Sequence, residues 1–129
     1  MKGWSEQEFT ILAWSDDDWV RYWQTRGLCR GPLAVHHTDM IYKEGRAYPK
    51  PRSSLWTISL RVRGLRLVRR IRTRQDAVRI ADDIIKRWGK LLKKPADVDD
   101  VNAIYHCADS TDLSVYLKQV QDEVTVGRQ

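Results

Sequence analysis

The sequence predicts a single α+β domain in which a small antiparallel sheet, centred on a basic hairpin at 55–72, packs against a long amphipathic helix at 74–94. Three observations lead there. Trp56, Ile58, Leu60 and Val62 alternate with Thr57, Ser59, Arg61 and Arg63, the period-two pattern of a half-buried strand. Ala77, Ala81, Ile84, Trp88 and Leu91 recur every three to four residues, with Val78, Ile85 and Leu92 beside them, which is the apolar stripe of a helix. A chain of 129 residues, 42% hydrophobic and holding six tryptophans, is long enough to bury a core without metal or disulfide support.

The remaining elements follow in order. Glu8 to Trp14 reads as a strand. Ser15, with Asp16, Asp17 and Asp18 behind it, reads as the cap and acidic first turn of a Trp-rich helix that stops at Gly27. This gives an N-terminal strand-helix unit. Leu33 to Tyr42 is expected to be extended, with a turn at Glu44-Gly45. Pro49 and Pro51 make residues 48–54 the most loop-like stretch. Thr73 should cap the long helix, with Asp76 at its third position, and Pro95 should end it. Two short C-terminal helices are expected, Asp97 to Ala108 and Ser110 to Val124, the second with Leu113, Tyr116, Leu117 and Val120 on its apolar face.

Charge divides the chain into three regions. Residues 1–42 carry a net charge of −2, residues 43–94 of +13 and residues 95–129 of −5. Such segregation predicts a positive surface in the middle of the sequence. No apolar run reaches the length of a membrane-spanning helix, and the first residues lack the order of a secretory leader, so a cytoplasmic protein with Cys29 and Cys107 as free thiols is expected.

Within the hairpin, a turn at Arg63-Gly64 would set Val62 opposite Leu65, Leu60 opposite Leu67 and Trp56 opposite Ile71. One face is then apolar apart from Arg69, which falls opposite Ile58. The other face shows Thr57, Ser59, Arg61, Arg63, Arg66, Arg70 and Arg72 to solvent. Arg61 would face Arg66, and like charges across a strand pair repel. Arginine presents a planar fork suited to phosphate, so an anionic partner would account for this crowding. A solvated, edge-blocking face needs only one or two charges.

Trp56-Thr57-Ile58-Ser59-Leu60, Gly64, Thr73-Arg74-Gln75-Asp76-Ala77 and Ala81 together resemble the sheet-plus-helix DNA-binding module of plant ethylene-response factors, whose relatives occur in phage homing endonucleases and tyrosine integrases. The resemblance covers residues 54–88. It implies a sheet lying in the major groove with the helix behind it, a third strand from residues 38–47, and Arg61, Arg63, Arg66, Arg70 and Arg72 as the DNA-facing set. The aromatic residue that the family carries just before its helix is absent here, where Ile71-Arg72-Thr73 stands instead.

Other constellations are weaker. Cys29, His36, His37, Asp39, His106 and Cys107 have ligand chemistry without ligand spacing. Adjacent histidines in a strand point to opposite faces. His106 and Cys107 are neighbours on a helix and do not face one another, so they form no dyad. Asp16 to Asp18 and Asp97, Asp99 and Asp100 sit at expected helix starts, and Asp82 and Asp83 can pair with Lys86 and Arg87. No catalytic motif, cofactor or metal is therefore expected, and a metal-dependent nuclease built from these aspartates is kept as a minor alternative. The tryptophans read as core, except Trp4, which precedes the first strand and is a candidate for exposure. Tyr48 is the candidate for stacking on a base.

The function expected is nucleic-acid binding, DNA before RNA, by a protein of phage or mobile-element origin. Arg52, Lys50, Arg74, Lys86, Arg87 and Lys90 would supplement the hairpin arginines. Contact with about six to eight phosphates would give a log–log salt slope near −6. The alternative is a small inhibitor or adaptor, of the anti-CRISPR kind, docking its basic face on an acidic or nucleic-acid-containing host complex. The outer hairpin edge also offers a place for a second copy of the chain to pair.

Overall fold

A computed structural model describes residues 3–14, 20–37, 39–44, 46–50, 54–61, 66–92 and 111–126. The elements are β1 (Ser5–Trp14), β2 (Val20–Arg30), β3 (Leu33–His36), β4 (Asp39–Lys43), β5 (Arg46–Lys50), β6 (Trp56–Leu60), β7 (Arg66–Ile71), α1 (Arg74–Leu92) and α2 (Thr111–Val126). The fold is α+β. A five-stranded antiparallel sheet has the order β1-β2-β3-β6-β7, and β4 and β5 form a separate two-stranded hairpin between β3 and β6. The long helix α1 packs against the sheet centre, and α2 lies against β7.

The expected N-terminal helix is instead a strand. Val20–Arg30 pairs with β1 without interruption, from Ser5 opposite Cys29 to Trp14 opposite Val20. Val20, Tyr22, Trp23 and Thr25 are strand-forming residues, and pairing with β1 outweighs the helix-start appearance of Ser15 and its aspartates. Residues 15–19 themselves lie outside the described residues, as do the 97–108 helix and residues 51–53 of the Pro-rich loop. Tyr48-Pro49-Lys50 is not loop but part of β5, where Pro49 stands opposite Met40. A two-stranded ribbon has only edges, and an edge tolerates a residue with no N–H to donate.

The third strand beside the central hairpin also differs from expectation. It is β3, pairing Leu33 with Leu60 and Val35 with Ile58, rather than a strand from 38–47. The period-two alternation on β3 and β6 serves two buried faces. Leu33, Val35, Ile58 and Leu60 point toward α1 and join Val68, Ile71, Ala77, Ala81, Ile84, Leu113 and Leu117 in the main core. Ala34, His36, Thr57 and Ser59 point the other way and are also buried, beside Phe9, Ile11 and Cys29. The small alanines of α1 allow the helix to approach the sheet closely. Thr73 caps it as expected, its Oγ1 accepting from the Asp76 N–H at 3.1 Å.

Gly27, expected as a helix stop, sits within β2. A Cβ there would lie 2.5 Å from the Val35 carbonyl oxygen and 2.9 Å from the His36 Cβ. Both obstacles belong to the paired strand and cannot rotate away. Gly27→Ala should therefore destabilise the domain by about 1–3 kcal/mol, as overpacked cores do, read as a lower urea midpoint with an unchanged slope.

Candidate nucleic-acid interface

The arginines are placed by the way β7 meets β6. Trp56 stands opposite Ile71, as expected, but Ile58 stands opposite Val68 and Ser59 opposite Arg66. β7 thus carries two more residues than the length of β6 it pairs with. One extra residue falls at Arg69–Arg70, where Arg70 adopts φ 61°. This bulge removes the anomaly in the simple register. Val68, not Arg69, occupies the apolar position opposite Ile58, and both Val68 and Ile71 are buried while Arg69 and Arg70 are exposed. With the second extra residue of β7 it also sets Arg66 opposite Ser59 rather than Arg61.

The arginine set divides in two. Arg61 does not project from an open ribbon. It is half-buried, and its guanidinium donates to the Gln7 Oε1 of β1 across the second sheet face. Arg66 is also half-buried, close enough to His36 to influence its charge. Arg70, Arg72 and Arg74 are exposed at the far end of β7 and the start of α1, together with Arg69, which the regular register had turned inward. Lys86, Arg87 and Lys90 are exposed on α1, but Arg87 pairs with Asp83 at 3.4 Å and lies over the Trp88 and Tyr116 rings. Arg52 and Arg63 lie outside the described residues. Lys50 and Tyr48 fall on β5, without described side chains. Among the described residues, carboxylates pair with Arg26, Arg30, Arg79 and Arg87, and none with Arg69, Arg70 or Arg74.

The sheet face expected to show Thr57 and Ser59 to solvent is closed. Ser59 is 0% exposed and His36 1%, with His36 Nε2 and Ser59 Oγ 2.8 Å apart. Phe9 stands against the imidazole, ring centroids 5.0 Å apart. Burial first, then the Arg66 charge and His37, push the His36 pKa down to about 3. His37 turns outward, as adjacent strand positions require, and stacks on Trp56 at 3.6 Å. Cys29 is a buried free thiol on the same face, its pKa raised by burial against an opposing effect of Arg61. No group of three or more potential metal ligands occurs among the described residues.

Three residues were not foreseen. Gln121 of α2 holds the bulge, its Nε2 donating to the Arg69 carbonyl and its Oε1 accepting from the Arg69 N–H, both at 2.9 Å. Lys118 and Asp122, one turn of helix apart, line a groove of about 420 Å³ between α2 and β7 with Arg66 and Arg69. No sequence signal marks Gln121, because it contacts a strand edge 52 positions away. Trp4 and Asp82 were read differently. Trp4 is half-buried and donates to Asp82 at 2.9 Å, and Asp82 also takes Arg30 rather than Lys86. Among the described residues no helix is long and apolar enough to cross a membrane.

Two consequences can be measured. His36 is neutral in the fold and would charge if unfolded, so the unfolded chain binds more protons between about pH 6.5 and pH 3 and stability falls as pH drops through that window. The loss should reach about 2 kcal/mol at pH 5 relative to pH 7.5, and His36→Gln should flatten the dependence in denaturant melts at the two pH values. Arg70→Gly should keep the fold and gain up to about 1 kcal/mol, because glycine enters the left-handed region without a Cβ clash. A thermal melt lower than that of the parent would show that the Arg70 side chain, rather than its backbone, holds the bulge.

In comparisons with protein-family models, curated proteins and solved structures, nothing matched this chain.

Proposed function

We propose that this protein binds nucleic acid through the arginines gathered where β7 runs into α1. One observation carries the reading: Arg69, Arg70 and Arg74 are all exposed around a bulge and a helix start, and among the described residues Glu6, Glu8, Asp76, Asp82 and Asp83 pair with other arginines. Guanidinium groups so crowded raise one another's electrostatic energy, and a polyanion that neutralises them releases its own condensed counterions on binding. The surrounding net charge of +13 over residues 43–94 favours the approach of such a partner.

An acidic protein surface satisfies the same charges, and the expected inhibitor or adaptor role rests on that possibility. Nucleic acid fits better on two grounds. The groove between β7 and α2 presents Arg66, Arg69 and Lys118 against the single carboxylate of Asp122, a strip rather than a point of positive charge. Protein interfaces also centre on buried aromatic anchors, and of the aromatic residues whose side chains are described, Trp4, Trp56, Trp88 and Tyr116 are half-buried and Phe9 is buried.

The test is fluorescence anisotropy of the full chain with labelled random-sequence DNA and RNA. Affinity should fall at least about tenfold between 50 and 200 mM salt. The combined Arg69→Gln, Arg70→Gln and Arg74→Gln variant should bind at least about tenfold more weakly with an unchanged thermal melt. Binding indifferent to salt, or a nuclease-resistant partner captured by the same arginines, would reject the proposal.

A further inference from the structure

We infer that the nucleic acid this surface takes is a duplex, gripped along its phosphate backbone by the outer edge of β7 and the start of α1, with no bases read by the sheet. The inference rests on the nucleic-acid reading above and specifies its mode. A β-ribbon reads bases by laying an open face of side chains in the major groove. Here the face away from the helices is closed at its centre. Thr57, Ser59 and His36 are buried there, and the one long cation at the end of β6, Arg61, is bound to Gln7. The opposite face is occupied by α1 and α2. Neither face of β6 is available to a groove.

What remains exposed is a run of side chains along an edge whose backbone at Arg69 is taken by Gln121. The bulge throws Arg69 and Arg70 outward in succession while keeping Val68 and Ile71 in the core, and Arg74 follows on the first turn of α1. Because of its two extra residues β7 covers only the three strand steps from Ser59 to Trp56, roughly 10 Å at about 3.3 Å each, comparable with about three base-pair steps of duplex at 3.4 Å. That length suits three or four phosphates on one strand of a rigid, evenly charged backbone. A single strand is usually held by aromatic platforms on which its bases stack. Among the described residues the rings near this edge are engaged otherwise, with Trp56 under His37 and Trp88 against Tyr116. A phosphate-only contact favours the partner with the denser charge.

The experiment compares the full chain on two 20-base-pair duplexes of unrelated sequence and on one of the component single strands, across a salt series. The two duplexes should agree within about threefold and the single strand should bind at least about fivefold more weakly. The duplex log–log slope should lie near −3 to −4, and Arg69→Gln, Arg70→Gln and Arg74→Gln should each make it shallower by about 0.9. Arg26→Gln, on the exposed face of β2 beside Glu6 and Glu8, should leave the slope unchanged. Arg70→Gly repeats the charge removal with the bulge conformation kept, so a shallower slope there cannot be a folding defect. A tenfold preference between duplexes, a preference for the single strand, or a slope indifferent to the edge arginines would overturn the inference and leave nucleic-acid binding standing. Absence of binding to every nucleic acid at 50 mM salt would remove the underlying reading as well.

Discussion

The arrangement of this molecule turns on a mismatch of spacing in β7. Val68 and Ile71 both belong in the core, yet residues three apart on a regular strand point to opposite faces. Burying both is worth about 1.5–3 kcal/mol per side chain. Holding one non-glycine residue in the left-handed region costs about 1–2 kcal/mol. The apolar burial wins, and the strand accommodates it by inserting a residue at Arg69–Arg70. A bulge is therefore not an imperfection in the hairpin. It is the local backbone solution that lets two apolar residues enter the core and sends two adjacent arginines out of it.

The second constraint is on the edge this creates. A terminal strand leaves alternate N–H and C=O groups unpaired and open to another chain. At Arg69 both are taken by the side-chain amide of Gln121, which imitates the hydrogen bonding of a neighbouring strand for one residue. The same residue pins α2 to the sheet, while Leu113, Leu117 and Val120 bury its apolar side. Pairing of a second copy along β7 would have to displace this contact. Deeper in, the His36–Ser59 hydrogen bond plays a comparable part on the closed face. It satisfies two buried polar groups that would each be costly alone, on a face otherwise filled by Phe9, Ile11, Cys29 and Ala34.

The elements that were legible in the sequence are those whose signal is local. The α1 stripe, the Thr73 cap, the extended stretches at 8–14, 33–36 and 56–60, and the turn at Glu44 all follow from propensity and period. Leu113, Leu117 and Val120 likewise marked the buried side of α2. The failures share a cause, which is that the deciding partner is distant. Residues 20–27 were expected to be helical behind an acidic helix start, and only the pairing of β2 with β1 makes them a strand. Thr57 and Ser59 have the polarity of a solvated face, and only Phe9, Ile11, Cys29 and His36 from other strands reveal that the face is filled. Gly27 was legible as special but not for its reason, which is a carbonyl oxygen on β3. For the site, sequence placed the concentration of positive charge in residues 43–94, where the exposed arginines of β7 and α1 lie. It misassigned Arg61 and Arg69 because a register counted from the turn cannot foresee the two extra residues in β7.

The edge arginines admit a modest explanation that has to be met. Charged residues on outer strands discourage aggregation, and a protein with no ligand at all would benefit from them. Two features argue that this is not their whole purpose. Gln121 already closes the backbone at Arg69, so the position least in need of a gatekeeper is the one flanked by the most charge. Gatekeeping is also served by mixed charge, whereas residues 69–74 hold four arginines and no acidic residue. A surface shaped only to repel its own kind would gain by interspersing acids, which lowers self-repulsion within the fold. Like charges held side by side, where a bulge made by core packing turns two of them outward, form an arrangement that a regularly spaced polyanion would stabilise, which is why the proposed function assigns them one.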